Sequence, residues 1–215
     1  MEKIFLSVDF DWFNDQKNPT NSLLDLLKLI PSDIPHSITI EHHEFLPFMK
    51  QWVEYGIISL PFDIINIDEH HDYYTCEPPY HPGGTETHCG NWGFRIPLEW
   101  YNKMIWVRNS FSEVDGEWGS AEEWLISNNI SYTVDTKYYP FVNNEKIIAC
   151  IFSVSPNYIA EAVYQNIEEM IRLTANHFGS KIVPQSKDKC TSRYPADWKM
   201  TQYSRIKQPR DLSYV

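Results

Sequence analysis

Three short runs of acid and imidazole carry the chemistry-bearing residues of this chain: Asp9-Phe-Asp11, Glu41-His42-His43-Glu44 and Asp68-Glu-His70-His-Asp72. Each follows a stretch that reads as a strand. Just past a strand, alternate residues point the same way, so Asp9/Asp11 and Asp68/His70/Asp72 place their ligating atoms on one side of the chain. With His42 or His43 from the middle run, the set comprises four carboxylates and two imidazoles. A mixed oxygen and nitrogen set without thiolate suits manganese or another octahedral divalent ion better than a closed zinc site. Six ligands exceed the needs of one ion, whereas two ions about 3.5–4 Å apart and bridged by carboxylates need this many. Four carboxylates gathered without a cation would repel one another and push their pKa values up. An isolated Asp-x-Asp after a strand is commonly a cap or a turn; three such clusters in one short chain point to a metal centre. Seven of the eight histidines fall between His36 and His88, so imidazole use is concentrated in the same stretch.

The elements that must position these residues can be read along the chain. Lys3 to Val8 is a buried strand ending at Asp9. Pro19 opens a helix with Leu23, Leu24, Leu27 and Ile30 on one face, closed by Pro31. His36 to Ile40 is the next strand, followed by a helix carrying Phe45, Phe48, Met49, Trp52 and Val53, with Gly56 as its stop. The apolar run Ile57 to Ile67 leads into Asp68. From Tyr73 to Gly90 the composition is that of a loop, rich in proline and glycine, of a length often seen in binding loops. Asn91 to Lys103 reads as helix, Met104 to Val107 as strand, 120–128 as helix, 131–134 as strand and Lys146 to Phe152 as a buried strand. Ser155 reads as the cap and Pro156 as the first turn of a helix with Ile159, Val163, Ile167, Met170 and Ile171 as its stripe, closed by Gly179. Strands alternating with helices predict a three-layer α/β/α fold with a mostly parallel sheet, whose ligand sites gather outside the carboxyl ends of the strands.

Composition bounds the rest. A chain of 215 residues, 22% charged and 42% hydrophobic, predicts a single domain over 1–215, with 180–215 as a polar C-terminal extension. The net charge of -11 argues against a nucleic-acid partner and favours a cationic partner or a divalent metal. No run approaches the roughly 18 apolar residues needed to cross a bilayer, and no leader is evident, so a soluble cytoplasmic protein without a membrane partner is expected. The four cysteines form no Cys-x-x-Cys pair, which argues against a disulfide framework or a zinc ribbon.

Leu6-Ser-Val-Asp9-Phe-Asp11 and Asp68-Glu-His70-His-Asp72 resemble the two aspartate motifs of the arginase and agmatinase ureohydrolases. Cys89-Gly90-Asn91-Trp92-Gly93 resembles the Ser-Gly-Asn-Leu-His-Gly segment that binds the amino-acid part of the substrate in arginases. More closely, Glu41 to Phe48, Asn66 to His70, Gly90 to Trp92 and Ser153 to Pro156 resemble an arginase-like family whose bacterial members are peptide arginases. Those enzymes convert arginine side chains of ribosomally made precursor peptides to ornithine and urea.

The resemblance spans roughly 3–160. It implies an arginase-like fold and a dimanganese cluster held by Asp9, Asp11, His42, Asp68, His70 and Asp72, with His43 and His71 at variable positions of the motifs. His71 could be an outer-shell group or an ordinary exposed histidine. Asp72 would also relay a proton to the leaving amine, and Asn91 would contact substrate. Three departures stand out. The Asp-x-Asp motif, late in ordinary arginases, is N-terminal here, as if its strand were relocated within the same sheet. The shuttle histidine is replaced by Gly93, and the glutamate that anchors guanidinium falls at Ser153. His88 is the candidate shuttle; Glu44 and Glu86 are the candidate anchors. The expected activity is hydrolysis of arginine side chains in a precursor peptide, with the acidic surface aiding capture of that cationic partner. A small-molecule ureohydrolase or amide hydrolase, and a non-catalytic metal-containing binding protein, are the alternatives.

Overall fold

A computed structural model describes residues 3–73, 87, 89–112, 123–135, 147–180, 184–185 and 202–203. Six strands form one all-parallel sheet: β1 (Ile4–Asp9), β2 (His36–Thr39), β3 (Phe62–Ile67), β4 (Tyr101–Val107), β5 (Ser131–Asp135) and β6 (Ile147–Ser153), in the order β2-β6-β1-β3-β4-β5. β1 lies between β6 and β3, so the chain leaves it toward one edge and later returns to build the other. That reversal is the place where open parallel sheets bind ligands.

The central strands are buried on both faces, as a parallel sheet covered by helices requires. On one face Ile4, Leu6 and Val8 of β1 pack with Leu23, Leu26 and Leu27 of α1 (Pro19–Leu27). The same cluster takes in Ile167, Met170 and Ile171 of the C-terminal helix (Ile167–His177). On the other face Phe5, Ile64, Ala149 and Ile151 pack with Met49 and Trp52 of α2 (Leu46–Glu54) and Leu125 of α3 (123–127). The result is three layers.

Asn18 caps α1 through its side chain, which accepts from the Asn21 amide. Gly56 (φ +65°) follows α2 in the left-handed conformation expected of a helix stop.

Two helix expectations need correction. The expected helix over 91–103 is instead a 3-10 segment (Cys89–Arg95), a short 3-10 turn (Leu98–Trp100) and the first residues of β4, interrupted at Pro97. The expected helix from Ser155 is broken into α4 (Glu161–Tyr164) and α5 (Ile167–His177). Ser155 is not its cap: it sits at φ +43° with its hydroxyl turned to Asp9.

Beyond residue 180, the two short strands β7 (Pro184–Gln185) and β8 (Gln202–Tyr203) pair antiparallel, an order not visible in the polar composition. Among the described residues no helix is long and apolar enough to cross a membrane.

Candidate metal centre

The α2-facing side of the sheet changes character along each central strand. Reading every second residue, β1 runs Phe5, Ser7, Asp9; β3 runs Ile64, Asn66 and then Asp68; β6 runs Ile151, Ser153 and then Ser155. The apolar residues pack under α2, and the polar ones arrive together at the carboxyl ends because the strands are in register, with Ser7 beside both Asn66 and Ile151, and Asp9 beside Ser153. His42 opens the 3-10 turn (His42–Phe45) that follows β2. Asp11 lies in the 3-10 turn (Phe10–Asp15) that follows β1.

Two ligand groups result, and they share one residue. Asp9, His42 and Asp68 form the first; Asp11, Asp68 and His70 form the second, with the ligand atoms of each within 4.8 Å of one another. His42 Nδ1 lies 2.7 Å from Asp72 Oδ2, 3.1 Å from Asp68 Oδ2 and 3.2 Å from Asp9 Oδ2, and none of these oxygens is aligned as a hydrogen-bond acceptor. A buried nitrogen surrounded by three carboxylates and hydrogen-bonded to none has the disposition of a metal ligand. His70 Nδ1 lies 2.8 Å from Asp11 Oδ2 and 3.9 Å from Asp68 Oδ1. Asp68 thus presents Oδ2 to one group and Oδ1 to the other.

A second ring of residues fixes these side chains. Ser7 Oγ lies 2.5 Å from His42 Nε2. Ligation through Nδ1 requires the proton on Nε2, and the serine is placed to accept it. Ser155 donates to Asp9 Oδ2, and the Trp92 indole donates to Asp72 Oδ2. Ser153 Oγ is 3.0 Å from Ser155 Oγ. Asn66 Nδ2 donates to Asp68 Oδ2 at 3.2 Å, and the Trp106 indole donates to the Asp68 carbonyl at 2.9 Å. Asp72 and Ser155 both adopt left-handed backbone (φ +60° and +43°), a conformation costing about 1–3 kcal/mol that persists where the surroundings impose it. None of Ser7, Trp92 and Ser155 was marked as a site residue by spacing. Ser7 is signalled only as a polar residue one alternate step before Asp9, whereas Trp92 and Ser155 lie far in sequence from every candidate ligand and carry no spacing signal.

Burial holds Asp11 well above the usual carboxylate range, reinforced by Asp9 and Asp68; burial does the same to Asp68, reinforced by Asp72. Burial opposes a charged His42, but Asp72 beside it, with the contacts from Asp68 and Asp9, overrides this and raises its pKa. Burial likewise works against His70, whose contacts with Asp11 nevertheless lift it to about 10. The cluster therefore holds protons where a divalent cation would remove the need for them. This oxygen-rich donor set, with Asp68 common to both groups, is one that could hold a divalent metal.

All six expected ligands line one cavity of about 250 Å³, together with Cys89, Gly90, Ser155 and Tyr158. Cys89 does not add a thiolate: burial pushes its thiol up to about 11. Of the other expected site residues, Glu44 and Asn91 lie outside the cavity lining. Glu44 is exposed and accepts from the amides of Ile40 and Glu41 at the start of the turn that carries His42, so its carboxylate caps that turn. Asn91 is fully buried in the 3-10 segment and is not among the side chains lining the cavity. Glu86 and His88 lie outside the described residues. His71, allowed above to be an exposed residue, is buried against Trp106 with its Nδ1 accepting from the Tyr73 amide. Burial and the neighbouring His70 hold its pKa down to about 3, so it is a neutral structural group. Gly93, where a shuttle histidine stands in the resembled motif, has no room for any side chain, because a Cβ there would collide with the Tyr73 ring. No family model, curated protein or solved structure matches this chain.

Proposed function

We propose that this chain is a dimetal hydrolase of arginase type that converts arginine side chains of a precursor peptide to ornithine, releasing urea. The observation that carries the reading is the sharing of Asp68 between two buried ligand groups, Asp9/His42/Asp68 and Asp11/Asp68/His70. Manganese is the proposed ion because the donors are carboxylate and imidazole without thiolate. A bound pair of such ions supplies a water of lowered pKa and electrostatic stabilisation of charge developing at the attacked carbon. The protein's own residues do the rest. Asp9, His42 and Asp72 surround one position, and Asp11 and His70 the other. Ser7 and Ser155 orient His42 and Asp9. Asp72, fixed by the Trp92 indole and set in the cavity wall, is the carboxylate assigned to pass a proton to the leaving ornithine amine. The choice of an arginine-bearing peptide as substrate is supported by the motif resemblance and by the net charge of -11, which favours a cationic partner.

The test is mass spectrometry of arginine-containing peptides incubated with manganese-loaded protein. The expected result is loss of one cyanamide unit (the difference between arginine and ornithine) per modified residue, with urea in stoichiometric amount. Urea from free arginine or agmatine but not from peptides would instead identify a small-molecule ureohydrolase. Absence of turnover on every guanidine tested, with metal bound, would leave the non-catalytic binding protein.

A further inference from the structure

Ten of the described residues line the cavity, and most are already committed. Six are ligand candidates, Ser155 is held by Asp9, and Gly90 has no side chain. Among the described residues, the lining side chains left to touch a substrate are Tyr158 and Cys89. They touch one another, with Tyr158 Oη 3.6 Å from Cys89 Sγ in a hydrogen bond. The Tyr158 ring also stands 5.1 Å from the His70 ring at 64°. The phenol thus touches both the second ligand group and the 3-10 segment.

Tyr158 is 46% exposed, yet its backbone is pinned. Its amide donates to the Ser155 carbonyl at 2.9 Å, and its own carbonyl accepts from Asn14 Nδ2 at 2.9 Å. Asn14 is held in turn by the Ala160 amide at 2.6 Å. A large aromatic ring fixed at its root and open along one side is placed to receive something. A ring face favours a planar, weakly hydrated cation over a compact ammonium. The contact to Cys89 is a single bond to sulfur, weak enough to be given up when a ligand enters.

We propose that Tyr158 is the substrate-binding residue that holds the planar cationic end of the substrate against its ring above the ligand cluster, exchanging its contact with Cys89 for that ligand. The inference rests on the reading that the substrate carries a guanidinium group, and it assigns recognition to an aromatic ring where no glutamate lines the cavity among the described residues.

The experiment compares manganese-loaded wild type, Tyr158→Phe and Tyr158→Leu. Equilibrium binding of an N-acetyl-arginine-amide probe is measured by calorimetry, turnover on an arginine-bearing peptide is measured separately, and metal content is checked for each protein. The ring-preserving Tyr158→Phe is expected to bind within about twofold of wild type, and Tyr158→Leu about tenfold more weakly, the range of a partly desolvated cation–π contact. The loss should appear in KM rather than kcat, with metal content unchanged. A Tyr158→Leu protein that binds the probe like wild type overturns the proposal, even if turnover confirms the arginine reading. Ring-dependent binding without turnover sinks the hydrolase reading and leaves the proposal standing. No binding of the probe to wild type overturns the proposal directly.

Discussion

Asp68 offers one oxygen to each half of the cluster, and its neighbours hold it in that attitude: Asn66 Nδ2 donates to Oδ2, the His70 amide to Oδ1 at 2.7 Å, and Trp106 to its carbonyl. His42 is oriented by the same logic from the opposite side, through Ser7. Removing that hydroxyl by Ser7→Ala should leave the strand intact, since Ser7 is wholly buried and alanine fits the space, but His42 would lose its orienting partner. The expected outcome is an about 10–100-fold drop in metal affinity, read by competition against a chelator, with an unchanged circular dichroism spectrum. Unaltered affinity would mean that the serine plays no part in setting the imidazole. Five of the six candidate ligands were marked by their alternate spacing after a strand, although Asp11 lies in a 3-10 turn and Asp72 in left-handed backbone; His42 was distinguished from His43 only by the motif resemblance. The serines were not legible in the sequence, because a hydroxyl in or just after a strand carries no mark that separates an orienting partner from ordinary filler.

At the scale of elements, the site depends on one irregular piece. The 3-10 segment Cys89–Arg95 meets the end of the β3 loop at two points: the Gly93 amide donates to the Asp72 carbonyl at 3.2 Å, and Trp92 donates to the Asp72 carboxylate. Tyr73, fully buried beside Phe94 and bonded to Tyr101 Oη, fills the space against Gly93 and has nowhere to move. Gly93→Ala is therefore predicted to destabilise the fold by about 1–3 kcal/mol, the range for overpacking a filled core, and to weaken metal binding by displacing Asp72. Denaturant unfolding and metal titration of the variant check both effects; wild-type values in both would remove the segment from the account. The regular elements were readable from apolar periodicity, as α1 and α2 illustrate with Leu23, Leu27, Met49 and Trp52. The 91–103 segment was not, since its apolar residues imitate a helix while Gly93 and Pro97 answer to tertiary contacts that no local pattern encodes. The C-terminal helix misled in a similar way: its stripe is real over Ile167 to Ile171, but Ser155 was claimed by Asp9 before it could cap anything.

Across the whole molecule, protons and metal compete for the same charges. With His70 lifted to about 10 from an unfolded value of about 6.5, the native metal-free protein binds more protons than the unfolded chain across that window. Asp11 and Asp68 act in the same sense, from their unfolded values near 4 upward. Stability contributed by these protons is complete below the unfolded pKa values and is lost as pH rises through the folded ones. A divalent ion needs those groups deprotonated, so its stabilisation should grow as the protons become easier to displace. At one fixed manganese concentration, the rise in Tm over metal-free protein is predicted to be larger at about pH 8 than at about pH 6. An equal rise at both values would place the metal away from these groups. Two divalent ions would also bring the formal -11 to -7 (four positive charges added), so part of the acidity belongs to the centre rather than to the surface.

The dimetal assignment is tested most directly by metal content after saturation with manganese and removal of the excess, compared between wild type, Asp11→Asn and Asp68→Asn proteins of native circular dichroism. The shared carboxylate predicts two ions per chain in wild type, about one in Asp11→Asn, and fewer than one in Asp68→Asn. A wild-type content of one ion, or an Asp68→Asn protein that retains both, would contradict a centre built around Asp68.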